Sequence, residues 1–208
     1  MKSILCFGDS NTYGLVPGTN NRYEWGTRWS SILDERVRDK GYRVVEEGLC
    51  GRTTIFEDPL RDGRRGTELL PTILESHKPV DMVVLMLGTN DCKTVYDASA
   101  EVIGKGIEKL ISQIKAVDSD IKILLMSPIN LGKNVGEEGY DPEFDDNSVE
   151  VSKKLPKVYK RIANDNCIDF LAASEYESPS EDDREHLNVL GHRKLADAVC
   201  NKVEKMIS

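Results

Sequence analysis

Apolar positions along the chain follow two rhythms that take turns. The first is a short, nearly unbroken apolar or β-branched run closed by turn residues. Such runs predict strands at Lys2 to Phe7, Arg43 to Glu47, Asp81 to Leu87, Ile121 to Ser127 and Cys167 to Leu171. Met82 to Leu87 and Ile121 to Met126 are almost uniformly apolar, as strands covered on both faces are. The second rhythm is helical. Trp29, Ile32, Leu33, Arg36 and Val37 trace one face, and Val102, Ile103, Ile107, Leu110, Ile111 and Ile114 trace another, with Asp97 as its expected cap. Leu155, Val158, Tyr159 and Ile162 form a third stripe, and Leu195, Val199, Val203 and Met206 a closing one. Thr67 to His77 also reads as a helix, provided Pro71 lies near its first turn.

Strands alternating with helices imply right-handed βαβ units. The predicted fold is therefore α/β, a three-layer α/β/α sandwich on a five-stranded parallel sheet, formed as one domain over residues 1–208. In such sheets ligands bind beyond the carboxyl ends of the strands, so the chemistry is sought there. The stretch Asn130 to Asp146, rich in Gly, Glu and Asp, has no clear element and is expected to be a functional or mobile loop.

Composition narrows the partners. A net charge of -8 without a basic patch argues against nucleic acid. No apolar run reaches the length of a membrane span, and the first strand is too short for a signal-peptide core, so the expected location is the cytoplasm. The five cysteines are odd in number and lack C-x-x-C spacing. They predict packing residues rather than disulfides or zinc ligands.

Three predicted strands end in motifs suited to one reaction. Gly8-Asp9-Ser10-Asn11 follows the first and exposes a hydroxyl at a sharp strand-to-helix turn; alone, it is an ordinary capped turn. Gly48-Leu49-Cys50-Gly51 follows the second, where Gly51 can offer an unobstructed amide. Gly88-Thr89-Asn90-Asp91 follows the third, where the Asn90 side chain can donate to an oxyanion. Their agreement points to acyl transfer. A base is also needed. His77 reads as a surface residue, and His192 has a structural explanation in the first turn of the last helix. His186, three residues after Asp183, can meet that carboxylate on one turn. Asp182 and Glu185 are rival carboxylates for the same imidazole.

Taken together, these blocks resemble the SGNH (also called GDSL) hydrolases. The match runs through Gly8-Asp9-Ser10, the Gly51 segment, Gly88-Thr89-Asn90-Asp91 and Asp183-x-x-His186, and so covers nearly the whole chain. The longer forms Gly-Asp-Ser-Asn-Thr-Tyr-Gly and Glu-Glu-Gly-Leu-Cys-Gly-Arg-Thr-Thr look like the arylesterase and acyltransferase branch. The resemblance implies a flavodoxin-like sheet, no cofactor and no metal. It implies a Ser10 nucleophile with Asp183 and His186, and an oxyanion hole from the Ser10 amide, the Gly51 amide and the Asn90 side chain. It also implies a small-molecule ester as substrate, acyl release to water or to another alcohol, and a tendency to form homo-oligomers. Two departures stand out. Asn11 occupies a position where many members carry Leu, and Glu46 and Glu47 stand where many carry Asn before the glycine, a feature familiar in the arylesterase branch. Other readings remain open: a carbohydrate O-acetylesterase, a lysophospholipase or thioesterase of the same fold, and a non-catalytic binding domain. By position Trp25, Trp29 and the Asn130 to Asp146 loop are candidate walls of the pocket, but Trp29 also fits the helix stripe and reads first as a core residue.

Overall fold

The computed structural model describes residues 1–208. Its elements run β1 (Lys2–Gly8), α1 (Ser10–Tyr13), α2 (Trp29–Val37), β2 (Tyr42–Gly48), α3 (Gly66–Ser76), β3 (Met82–Met86), α4 (Ala100–Val117), β4 (Lys122–Ser127), α5 (Asp146–Ser152), α6 (Leu155–Asn166), β5 (Asp169–Ala172) and α7 (Val189–Ile207). All four strand pairs are parallel, in the order β2-β1-β3-β4-β5. The order reverses direction at β1, so the turns after β1 and β3 diverge there and open a crevice at the carboxyl edge.

The strand period of two sorts β1 between two cores. Leu5 and Phe7 face a layer with Leu70 and Leu74 of α3, Ile107 and Leu110 of α4, and Val158 and Ile162 of α6. Ile4 and Cys6 face the opposite layer, with Trp29 and Leu33 of α2 and Leu195 and Val199 of α7. One sheet thus carries both cores, as the apolar runs anticipate. No helix is long and apolar enough to cross a membrane.

Three local readings need correction. The cap of α4 is Ser99, whose side chain accepts from the Val102 amide, and not Asp97. Asp97 instead ends the 3-10 turn Thr94–Tyr96 in a left-handed conformation. The stretch from Asn130 is followed by α5, which the apolar pattern misses because the helix is only seven residues long. Its start is fixed by a capping box between Asp145 and Ser148. Pro71 is not in the first turn of α3 but is its sixth residue. It has no amide to give the Thr67 carbonyl. Gln113 of α4 supplies the missing donor, its Nε2 reaching that carbonyl at 2.7 Å.

This substitution of a side chain for a helix bond is testable. Gln113→Met keeps the length and removes the donor, so it should lower stability by about 1 kcal/mol. The expected result is a lower urea midpoint with an unchanged denaturant slope.

Candidate active site

The β1 strand delivers Ser10 to the crevice. Asp9 caps the short helix that follows, its Oδ1 accepting from the Asn11 amide at 3.0 Å, while its own carbonyl accepts from the amides of Thr12 and Tyr13. That helix lies directly on the end of β2. A Cβ at Gly48 would come within 2.1 Å of the Tyr13 nitrogen, so only glycine lets the Ser10 turn settle on the sheet edge.

The imidazole that meets Ser10 comes from far along the chain. Residues 180–186 form a closed turn in which the Ser180 amide donates to the His186 carbonyl and the Arg184 amide donates to the Ser180 carbonyl. Inside it, Asp183 Oδ1 accepts from the amides of Glu185 and His186 at 3.0 and 2.9 Å. Asp183 Oδ2 lies 2.7 Å from His186 Nδ1 and also accepts from the Gly18 amide at 3.0 Å. His186 Nε2 stands 2.8 Å from Ser10 Oγ. With Asp183 ionised, Nδ1 carries the proton and Nε2 is the acceptor facing the hydroxyl.

The structure also decides among the three rival carboxylates. Asp182 takes the Ser180 hydroxyl at 2.8 Å, and Glu185 lies on the Nε2 side of the ring, 3.7 Å away. Only Asp183 reaches Nδ1. Burial works against the charged form of Asp183, but the His186 ring and the two amides outweigh it and bring its pKa down to about 2. Burial likewise disfavours the imidazolium of His186, yet the Glu185 and Asp183 carboxylates prevail and raise its pKa above the ordinary histidine value.

Asn11 ties the two chain ends together. Its side-chain oxygen accepts from the Leu187 amide at 2.9 Å, and its Nδ2 donates to the Glu185 carbonyl at 3.3 Å. His186 is thus gripped on both sides by the residue next to Ser10. The Asn11 carbonyl in turn accepts from the Trp29 indole at 3.1 Å. Trp29 is completely buried, so it supports the site from below and is not a pocket wall. Trp25 lies out under the Arg28 guanidinium. His192 is buried in α7, accepts from the Trp29 amide and is kept neutral, desolvation pushing its pKa down to about 3. His77 is half-buried rather than free on the surface, pairing with Glu47 at 3.0 Å.

The two remaining motifs are linked to each other. Asn90 is buried, and its Nδ2 donates to the Arg52 carbonyl at 3.1 Å. One amide hydrogen is so engaged, and the second is free. Gly51, next to Arg52, adopts a φ of +81° beneath the Arg61 guanidinium. Arg52 itself donates to the carbonyls of Gly8 and Glu47, which joins the turns after β1 and β2. Below Asn90, Asp91 accepts from the amide and hydroxyl of Thr54.

The family model for GDSL-like lipases and acylhydrolases matches residues 6–194. The chain belongs to this family. As a GDSL-like hydrolase it is a serine carboxylic ester hydrolase with solved relatives of the same architecture. A carbohydrate acetylesterase from Sinorhizobium meliloti is 33% identical, with 99% of this chain and 100% of that one covered at a TM-score of 0.93. An aryl esterase from M. smegmatis is 30% identical, with 99% of each chain covered and a TM-score of 0.90. A lipase/acylhydrolase from Enterococcus faecalis, at 19% identity and a TM-score of 0.73, shares the fold over 99% of this chain and 97% of its own. Among curated proteins no sequence match rises to significance.

In this GDSL-like hydrolase the segment from Asn130 to Asp146 is a buttress. The Gly132 amide donates to the Arg184 carbonyl, Arg184 reaches the Asn134 carbonyl, and its guanidinium lies 3.9 Å from the Tyr140 ring centre. Glu143 is held by the buried Lys93 at 2.8 Å and by Arg61 at 3.3 Å, and both cations also meet Asp58. Glu46, a departure from the common family pattern, has a structural task. Arg28 and Arg22 both bind it, fastening the segment after α1 to β2. No group of three or more His, Cys, Asp or Glu side chains is gathered as a metal site.

Asn11 was legible only as a departure from the usual leucine, yet its position makes it a positioning residue. Asn11→Ala should reduce kcat by about 10-fold or more with a smaller change in KM, because even an ångström of misplacement of a catalytic group is costly. Steady-state kinetics on p-nitrophenyl acetate checks this; an unchanged kcat would mean that other contacts hold His186. The raised pKa of His186 gives a second expectation. The ring must be neutral to accept the Ser10 proton, so activity is lost as pH falls through its pKa. The acid limb of kcat/KM should have its midpoint above about 6.5, the unperturbed value. A midpoint at or below that value would contradict it.

Proposed function

We propose that this protein cleaves small esters carrying short acyl groups through an acyl-enzyme. Ser10 is the nucleophile, His186 the base and Asp183 its orienting partner. The observation that carries this reading is the continuous contact from Ser10 Oγ to His186 Nε2 at 2.8 Å and from His186 Nδ1 to Asp183 at 2.7 Å.

In the first half-reaction His186 Nε2 takes the hydroxyl proton while Ser10 Oγ bonds to the ester carbonyl carbon. The carbonyl oxygen gains negative charge. The amides of Ser10 and Gly51 and the free Asn90 hydrogen are the donors proposed to receive it, which lowers the barrier because that charge exists only in the transition state. The imidazolium is stabilised by Asp183 on one side and faces the departing oxygen on the other. It gives its proton to the alcohol as the carbon–oxygen bond breaks. Water, or a second alcohol, then repeats the sequence in reverse and frees Ser10.

The preference for short acyl groups rests on space. Ser10, His186 and Asn90 are all buried. A cavity of about 970 Å³ lies between the start of α4 and the sides of α5 and α6, and none of the site residues lines it. Side chains this enclosed favour a small acyl group over a long chain at Ser10. The names of the relatives, a carbohydrate acetylesterase and an aryl esterase, agree with a small acyl group and leave the alcohol open.

Ser10→Ala decides the matter. It should abolish both p-nitrophenyl acetate turnover and labelling by a fluorophosphonate probe, with an unaltered circular dichroism spectrum. Turnover equal to wild type in the folded variant would overturn the assignment.

A further inference from the structure

Glu185 is the carboxylate that the chemistry above leaves without work. Its side chain is only 9% exposed, and the sole basic group near it is His186, whose Nε2 lies 3.7 Å from Oε1. That is too long for a hydrogen bond, and Nε2 is already engaged with Ser10 Oγ. No N–H or O–H of the protein donates to this carboxylate. Most other buried carboxylates are served on both oxygens or by a cation, although Asp9, which takes the Asn11 amide on Oδ1, leaves its Oδ2 without a partner. Asp91 has the Thr54 amide and hydroxyl, Asp58 has Lys93, Arg61 and the Leu60 amide, and Glu46 has Arg28 and Arg22. A buried carboxylate without a donor is costly; burial and the acidic groups around it push the Glu185 pKa up to about 7, and a hydroxyl donated from outside the protein would favour its charged, accepting form.

Its backbone is pinned, which gives the side chain a fixed origin. The Glu185 amide donates to Asp183 and its carbonyl accepts from Asn11. The direction matters as much as the position. His186 Nε2 is the atom that returns the proton to the leaving alcohol, so in the reaction that oxygen comes to hydrogen-bond distance of Nε2. Oε1 is 3.7 Å from the same nitrogen. A hydroxyl on the carbon next to the ester oxygen lies about one hydrogen-bond length further out, within reach of Glu185.

We propose that Glu185 is a specificity-determining residue that accepts a hydrogen bond from a free hydroxyl adjacent to the ester on the leaving alcohol. The favoured substrates are then monoacyl esters of vicinal diols, the arrangement present in partly acylated sugars and glycerol. This rests on the Ser10 reading above and adds the alcohol to it. A neutral hydroxyl fits better than an ammonium group, because His186 becomes a cation in the transition state and would repel a second positive charge there. Anionic alcohols are disfavoured by Glu185 together with Asp9, Asp141 and Asp183, the acidic groups that surround it.

The test compares 2-hydroxyethyl acetate with 2-methoxyethyl acetate and protonated 2-(dimethylamino)ethyl acetate. In the wild type, kcat/KM should favour the hydroxyl ester over the methyl ether by about 10-fold, the scale of one hydrogen bond to a charged acceptor. In Glu185→Leu that ratio should fall to about one. Glu185→Gln removes the charge beside Nε2 and should move the acid limb of the pH profile downward, a change that loss of packing alone would not produce. A wild-type ratio near one, a ratio unmoved in Glu185→Leu, a limb unmoved in Glu185→Gln, or preference for the cationic ester would overturn the proposal. Fluorophosphonate labelling of wild-type Ser10 separates the two levels. Labelling with a flat ratio defeats only the role of Glu185, whereas absence of labelling defeats the reading beneath it.

Discussion

Ser10 and His186 lie 176 residues apart in sequence and must meet within a fraction of an ångström. Their own contact is too weak to enforce that meeting, since a single hydrogen bond contributes only about 1 kcal/mol net. The side chain of Asn11 meets the requirement. It holds the backbone on both sides of His186, accepting from Leu187 and donating to the Glu185 carbonyl. Because Asn11 is the neighbour of Ser10 and is itself anchored by the Trp29 indole, Ser10 and His186 share one rigid mount. Strand β1 fixes that mount inside the sheet, between β2 and β3, and Gly48 lets it lie flat on the sheet's carboxyl edge.

Around this clasp the charges are arranged with different tolerances. Lys93, Arg61, Asp58 and Glu143 form a network of two cations and two anions that joins the loop after Gly51 to the segment before α5. Such a network specifies geometry more than it stabilises, since desolvation cancels much of its attraction. Near His186 the balance is deliberately uneven. Asp9, Asp183 and Glu185 are all acidic, and the proton they favour is the one that the ring receives during the reaction.

Much of this was readable in the sequence, for definite reasons. All five strands were placed to within two residues, because strands covered on both faces are short apolar runs with abrupt ends. The long amphipathic helices were equally plain. α5 was missed because seven residues hold too few turns to show a period, and the Asp97 cap was misplaced because a 3-10 turn intervenes before Ser99. Pro71 escaped its expected place because its cost is met from another helix, by Gln113, and no local rule registers a distant donor. Ser10, Gly51 and Asn90 could be named from blocks that follow strands, and Asp183 and His186 from their spacing and the family resemblance. The choice of Asp183 over Asp182 and Glu185 rested on the spacing of three. What the sequence concealed was the second use of familiar residues: Asn11 as a clasp, Glu46 as an anchor for two arginines, and the acidic loop as a prop for Arg184.

The pairing of Ser10 with residues 183–186 bears also on how the enzyme comes to life. Contacts between residues far apart in sequence close large loops, and their entropic cost delays them in folding. Until Leu187 has been drawn back onto Asn11, the hydroxyl at residue 10 has neither a proton acceptor nor an oriented partner. The Ser10 hydroxyl therefore gains its imidazole partner only when the 180–187 segment closes onto Asn11. In a folded molecule the same dependence runs backward: release of the 180–187 turn would part His186 from Ser10 and draw Leu187 out of the core it shares with Trp29 and Leu195, while the five-stranded sheet kept its own pairing.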